Sequence, residues 1–148
     1  MASLTAHTAL IGSSTSTSST TYVDVTASIS GTMKASTKYL VMCTAHVTNT
    51  SAARPWSMRL IERSDAAGAV EIDTSEVTRE TTSAGSENPY MWTGIYTTTS
   101  NAPDDGGIVI QQKVKNVADT ATTEYASLVV LELTELSEGT DYFVTTDA

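Results

Sequence analysis

The sequence contains very little of the residues that build disulfides, tight proline turns or large aromatic cores. Its 148 residues include one cysteine, three prolines and one phenylalanine. A single cysteine, Cys43, excludes an intrachain disulfide and a cysteine metal cluster, and we expect it to be a small buried hydrophobe. Residues 1–12 have neither a basic segment nor a long apolar run, so we expect no secretory signal, no membrane span and folding in a cytosol.

Basic residues are also scarce. Eight Lys and Arg stand against 17 Asp and Glu, which gives a net charge of −9 at pH 7. A phosphate backbone would be repelled by such a chain, so nucleic acid is not an expected partner. Sixteen of the 17 acids lie from Glu62 onward. The nearly uncharged first part could therefore be buried against another subunit at low desolvation cost.

Small hydroxyl residues and β-branched residues are abundant in the sequence. The chain has 27 Thr and 18 Ser, and Thr, Val and Ile together are typical of strands, because β-branched side chains suit a pleated surface better than a helix. Large aliphatic residues are few enough that disorder competes with folding on composition alone. The pattern along the chain has to decide between an all-β protein and a disordered one.

Apolar and polar residues alternate with a period of two, which favours strands over disorder. It is clearest over 22–30, 38–48, 57–63, 90–99, 107–118 and 124–136. In the segment 57–63 it predicts that Met58 and Leu60 point inward and Ile61 outward. No convincing helix is present, and turn signals recur every eight to twelve residues, as at 101–107. The expected fold is an antiparallel β-sandwich.

The two ends differ from this middle part. Residues 12–21 are a Ser/Thr run, so we expect an extended N-terminal arm over 1–21, a sandwich domain over 22–136 and an acidic tail over 137–148. Such an arm is ordered only where it docks, either on its own domain or on a neighbouring subunit. Within the tail, residues 142–144 could pair as an added strand.

The sequence shows no catalytic or cofactor signature. His7 and His46 are the only histidines, and no Gly-x-Ser-x-Gly motif presents a serine. Glu71 and Asp73 could share a strand face and serve a small carbohydrate-active enzyme, but solvated edge charges are the simpler interpretation. The acidic turn around Asp104 lacks the further oxygen ligands that Ca²⁺ needs. We therefore expect no enzyme activity, no cofactor and no metal.

The aromatic residues leave two interpretations open. Tyr90, Trp92 and Tyr96 alternate on one predicted strand, and Trp56 precedes another. They would either fill the core or form an exposed contact surface for a protein or a carbohydrate.

The order of the strand segments carries a family likeness. The run 39–49, the segment 59–63 with its Gly68 turn, the Trp-Thr-Gly-Ile-Tyr motif of 92–96, the Gln- and Lys-rich strand 107–115 and the Ala-x-Leu strand 126–133 together resemble jelly-roll virion proteins of tailed bacteriophages.

The resemblance implies a non-enzymatic virion structural protein. The first expectation is a capsid decoration or cement protein that is made in the host cytoplasm and docks on the major capsid protein lattice, as a homo-oligomer with a trimer favoured. The alternative is a receptor-binding module of a tail, neck or fibre. The candidate partner-binding residues are, in the two ends, Leu4, Leu10, Ile11, Tyr22, Tyr142 and Phe143, and, for the alternative, Trp56, Tyr90, Trp92 and Tyr96.

Overall fold

The computed structural model describes residues 2–11, 14–29, 33–51, 54–64, 68–100, 107–133 and 142–146. They form eleven strands: β1 (Ala2–Ile11), β2 (Thr15–Thr17), β3 (Val23–Ser28), β4 (Lys38–Asn49), β5 (Pro55–Ser64), β6 (Gly68–Glu71), β7 (Val77–Glu80), β8 (Asn88–Thr97), β9 (Ile108–Val114), β10 (Ala121–Glu132) and β11 (Tyr142–Thr146). In this part of the chain there is no helix with the length and hydropathy needed to cross a membrane.

The strands form two sheets. The six-stranded sheet has the order β11-β1-β10-β4-β8, with β2 also paired to β10. The five-stranded sheet has the order β3-β9-β5-β6, with β7 also paired to β5. All of these pairs are antiparallel except β1–β11, which is parallel. The predicted all-β antiparallel sandwich is therefore confirmed.

The core lies between the inner faces of the two sheets. Strand β4 contributes every second residue to it, since Tyr39, Val41, Cys43, Ala45 and Val47 are all at most 1% exposed. The central strands of the other sheet supply Met58, Leu60, Ile108 and Ile110. The alternation that predicted these strands is the alternation that fills the core.

Gly107 lies where a side chain would not fit. Gly107 precedes β9 at φ +33°, and a Cβ built there would lie 2.6 Å from the Met33 sulfur. A side chain at this position would displace Met33, which is buried in the core.

The ends of the chain join the sandwich. Residues 6–11 of β1 pair with 126–131 of β10, and β2 pairs with the first residues of β10. The sequence left two docking sites open for the predicted arm, its own domain or a neighbouring subunit. In the structure, the described strands of this segment pair with β10 of their own chain. The predicted strand at 142–144 is confirmed as part of β11, which pairs with residues 2–6 of β1. The predicted turn at 101–107 lies outside the described residues except for Gly107.

Ile61 points away from Met58 and Leu60, as the alternation predicts, but its side chain is buried, at 1% exposed. Its cross-strand partner on β9 is the similarly buried Val109. Arg59 and Arg63 lie two residues to either side on the same face.

Candidate assembly surface

Over most of its area, the outward side of the six-stranded sheet carries no Asp, Glu, Lys or Arg among the residues that the structure describes. Because alternate residues of β4 point into the core, the intervening residues point out, and the strand register aligns them with their neighbours. We call the following residues the uncharged face: Thr8, Leu10, Leu40, Met42, Thr44, His46, Met91, Thr93, Ile95, Tyr125, Ser127, Val129 and Leu131.

Cross-strand rows run over this face. One row joins Leu131, Leu40 and Ile95, and a second joins Val129, Met42 and Thr93. A third row links Leu10 through Ser127 and Thr44 to Met91. The face is therefore continuous from β1 across β10 and β4 to β8.

The uncharged face exposes most of the large apolar side chains found on the described surface. Leu10 and Met91 are each 70% exposed, Ile95 is 67% exposed and Tyr125 is 49% exposed, and the one further residue in this group is Val117. Scattered exposed hydrophobics are normal, but a contiguous apolar patch marks an interaction site.

Among the described residues, charged side chains border the uncharged face only at its two ends. Lys38 lies at the end where β4 begins and β8 finishes. At the other end, Glu87 Oε2 lies 3.4 Å from His46 Nδ1, and Glu124 Oε1 accepts a hydrogen bond of 3.4 Å from Thr48. The middle of the face is free of formal charge in a chain whose net charge is −9.

We call the outward side of the five-stranded sheet the charged face, because it carries paired charged side chains. Arg63 pairs with Asp24, and Gln111 Nε2 donates to Asp24 Oδ1 at 3.0 Å. Arg59 joins the same network, since Nε donates to Gln111 at 3.1 Å and Nη1 to Glu71 at 2.6 Å. Burial acts to raise the pKa of Asp24, but the hydrogen bonds from Gln111 and Arg63 outweigh it and hold this pKa below its ordinary value.

Tyr22 lies in this network rather than in a free arm. The Arg59 Cζ atom is 3.9 Å from the centre of the Tyr22 ring and Lys113 Nζ is 4.1 Å from it, which are cation–π distances. The Tyr22 hydroxyl donates to Glu76 at 2.7 Å. Burial first, and then this carboxylate, raise the pKa of Tyr22, so the ring is held as a neutral phenol between two cations.

The aromatic residues proposed as a contact surface lie on the inner side of the sandwich. Trp56 is 1% exposed and Tyr90 is 0% exposed, so neither reaches the surface of this chain. Trp92 and Tyr96 are half-buried and pack against the core. Of the two interpretations left open by the sequence, core filling is the one that the structure shows.

The remaining candidates lie on the two joined ends. Leu10 belongs to the uncharged face. Leu4 and Ile11 are in β1, where Leu4 pairs with Val144, and Tyr142 and Phe143 pair with Ala2 and Ser3. A role of these residues in partner binding stays a prediction.

Sequence reasoning missed Met91 and Ile95, the outward residues of β8. A signal for them was present, because both sides of the predicted strand at 90–99 carry large apolar residues. A strand with two apolar sides is normally central, and β8 lies at the end of its sheet. Apolar residues on both sides of an edge strand indicate an exposed apolar surface, but the strand order is needed to know that β8 is an edge strand.

The carboxylate pair proposed for an enzyme does not share a strand face. Strand β6 ends at Glu71, which is bound by Arg59, while Asp73 lies in the following turn and accepts a hydrogen bond from the Thr74 amide at 2.9 Å. Within the described residues, no group of three or more His, Cys, Asp or Glu side chains could hold a metal ion.

A polar groove of about 560 Å³ opens at the end of the sandwich where β5 begins. Its lining mixes both charge signs and includes Arg54, Glu80, Lys115 and Asp119. Arg54 Nε lies 3.8 Å from Asp119 Oδ1, while the buried Oδ2 atom has no hydrogen-bond partner. The groove has the size of a small-ligand site but no concentration of one charge.

The two sheets with these connections define a jelly-roll-type β-sandwich. No protein-family model matches the chain, and no curated protein matches its sequence. Solved structures with the same fold include the Eiger TNF from S. frugiperda, with a TM-score of 0.55 and 9% identity over 93% of this chain and 98% of that chain. Murine APRIL gives a TM-score of 0.54 and 8% identity over 86% of this chain and 98% of the other.

A viral capsid protein shares the fold as well. The VP2 subviral particle of infectious bursal disease virus gives a TM-score of 0.55 and 11% identity over 86% of this chain, which spans 32% of the VP2 chain. At such identities the likeness shows the fold alone.

Proposed function

We propose that the chain is a non-enzymatic structural subunit of a virion, and that the uncharged face docks it on the protein shell. The observation that carries the proposal is the uncharged face itself. Removing water from an apolar surface stabilises a complex, whereas each buried unpaired charge would oppose it. The uncharged face provides apolar surface that a partner can bury and carries no charge that burial would leave unpaired.

The viral likeness supports the same role. The order of strand segments resembles virion proteins of tailed bacteriophages, and capsid protein VP2 shares the jelly-roll fold. Within this role we favour a decoration or cement protein on the capsid surface that docks on the major capsid protein lattice as a homo-oligomer, which the resemblance suggests is a trimer. The charged face would then remain in contact with solvent, where its paired charges are already hydrated.

A receptor-binding module of a tail, neck or fibre is the second candidate. The aromatic residues that first suggested it are inside the sandwich, but the polar groove beside Asp119 provides a different place for a small ligand. Its mixed lining of hydrogen-bond donors and acceptors suits a polar, hydroxyl-rich ligand better than an apolar one.

Copy number separates the two candidates. Purified particles of the virus that encodes the chain would be analysed by quantitative gel densitometry against the major capsid protein. A decoration protein is expected in hundreds of copies per particle, and a tail or fibre module in a few to a few dozen. Absence of the chain from purified particles would contradict both candidates.

A further inference from the structure

The polar groove beside Asp119 contains a buried carboxylate oxygen to which the fold supplies no donor. Among the described residues, three buried side-chain atoms have no hydrogen-bond partner, and Asp119 Oδ2 is the one whose residue lines the groove. Arg54 Nε lies 3.8 Å from the other oxygen, Oδ1, which is beyond hydrogen-bond distance. A buried polar group without a partner costs stability, so a ligand hydroxyl that donates to Asp119 would be bound favourably. Arg54 is half exposed and can move aside for such a ligand without disturbing the core.

The two walls of the groove carry opposite charges that do not pair with each other. Glu80 of β7 lies opposite Pro55 of β5, and on the other side of β5 the Lys115 amide donates to the Pro55 carbonyl at 3.3 Å. Adjacent strands are about 4.8 Å apart, so the backbones of Glu80 and Lys115 are separated by about 10 Å. Both side chains are exposed, and neither belongs to an ion pair of the described structure. They are available to a ligand that lies between them.

A second cavity, of about 410 Å³, continues the groove along β5. The two cavities are neighbours, because they share the lining residues Thr20, Pro55 and Lys115. The second cavity extends past Ser57, which lies two residues after Pro55 and therefore about 7 Å further along the strand. The groove is therefore elongated, and its shape suits a linear ligand built from more than one unit.

We propose that this groove binds a neutral oligosaccharide, whose hydroxyls donate to Glu80 and Asp119 and accept from Lys115. Over the whole groove the formal charges cancel, because its lining has equal numbers of cations and carboxylates, namely Arg54, Lys113 and Lys115 with Glu76, Glu80 and Asp119. A neutral ligand therefore matches the lining better than an anion or a cation does. A sugar hydroxyl both donates and accepts hydrogen bonds, so one chemical group can bind to either wall. The proposal names the ligand of the receptor-binding candidate and rests on that candidate.

A sugar fits the groove better than a peptide does. Extended peptides are bound mainly through main-chain hydrogen bonds along a free strand edge. The strand that lines the groove, β5, has no free edge there, because it pairs with β7 on one side and with β9 on the other. The groove therefore binds its ligand mainly through side chains, and the Pro55 ring provides an apolar surface for the C–H groups of a sugar.

The proposal is tested by calorimetric titration of the full chain with neutral trisaccharides of glucose, galactose, mannose and N-acetylglucosamine. Two charged probes are matched to this set: the deacetylated, cationic form of the N-acetylglucosamine trisaccharide, and trigalacturonate as the acidic counterpart of the galactose trisaccharide. A neutral Ser-Gly-Ser peptide is the third comparison. We expect saturable binding of at least one neutral trisaccharide, and binding at least about tenfold weaker for the charged probes and the peptide. No saturable binding in the neutral set, or equal binding of a charged probe or the peptide, would overturn the proposal.

Two substitutions locate the binding in the groove. Glu80→Gln, at an exposed position, should weaken sugar binding about tenfold and leave the melting temperature unchanged. Asp119→Asn should weaken binding by a similar factor without lowering the melting temperature, because it removes a buried charge that has an oxygen without a donor. Asp73→Asn, which removes an acid from an exposed turn outside the groove, is the control and should bind like the wild type.

A structural role of Asp119 would give the opposite pattern. A lower melting temperature of Asp119→Asn together with wild-type sugar binding would assign this carboxylate to the fold and overturn the proposal, as would wild-type binding by Glu80→Gln. If Asp119→Asn does not fold, the Glu80→Gln result decides alone. These measurements use the isolated chain and no virus particles, so sugar binding and the proposed virion role can each fail without the other.

Discussion

Tyr96 shows how one side chain ties the two sheets together. Its hydroxyl, from β8, donates to Glu62 Oε2 on β5 at 2.5 Å. Glu62 is completely buried, and Thr99 donates to it through its amide at 3.0 Å and its hydroxyl at 2.8 Å. A buried carboxylate is tolerated only where its oxygens are hydrogen-bonded, so each of these donors matters for stability. Burial and the hydrogen bond to Glu62 raise the pKa of Tyr96, which keeps the donor protonated.

Replacing Tyr96 by Phe is therefore expected to destabilise the fold. The substitution removes one donor from a buried acceptor, and the free energy of unfolding should fall by about 1–3 kcal/mol. Tyr125→Phe is the matched control, because Tyr125 is half exposed, and its effect should stay within about 0.5 kcal/mol. Urea unfolding of both variants gives the comparison. Equal stabilities would show that the Tyr96 hydroxyl contributes nothing to the fold.

Asp24 predicts an acid-sensitive contribution to stability. Its pKa is lowered in the folded chain, so the unfolded chain takes up a proton first when the pH falls. The contribution is fully present above the unfolded pKa of about 4 and is lost as the pH falls through the lower folded value. Urea unfolding of the wild type should therefore weaken below about pH 4. Asp24→Asn should be less stable at neutral pH and should lose less on acidification, and parallel pH curves for the two proteins would contradict this account.

At the scale of the strand, the sequence pattern predicts which segments are strands but not which strands are neighbours. The period-2 alternation located β4, β5, β8, β9 and β10 to within a few residues. It could not place β1 beside β10, because strand pairing depends on contacts between residues more than 100 positions apart. The burial of Ile61 was missed for a related reason, since its buried partner Val109 lies on another strand.

The pairing of β1 predicts different costs for removing the two ends. Among the described strands, β11 pairs only with β1, so deletion of 142–148 should lower the melting temperature by about 2–5 °C. Deletion of 2–11 exposes the edge of β10 and also removes the partner of β11, and the melting temperature should fall by more than about 10 °C. Thermal unfolding followed by circular dichroism compares the two. A deletion of 2–11 that melts like the full chain would mean that β1 behaves as a free arm.

At the scale of the whole molecule, the two outward sides differ in chemistry. The polar groups of the charged face bind one another in the network around Asp24, Arg59 and Gln111. Burying this face against a partner would therefore add little binding free energy. The uncharged face has apolar groups in contact with water. This division was only partly visible in the sequence, because the early segments are poor in charge, but the outward rows require the strand order to be assembled.

The most direct test of the account is whether charge on the uncharged face abolishes docking. The double variant Leu10→Glu/Tyr125→Glu places two carboxylates on this face at exposed positions, away from β8. The control is Val117→Glu, whose side chain is 70% exposed, as is that of Leu10, but lies outside the face. Binding of each protein to purified particles that lack the chain would be measured by co-sedimentation, after confirming equal melting temperatures. We predict that the double variant loses about tenfold or more in affinity while Val117→Glu binds like the wild type. Wild-type binding by the double variant would contradict the claim that the uncharged face is the docking surface.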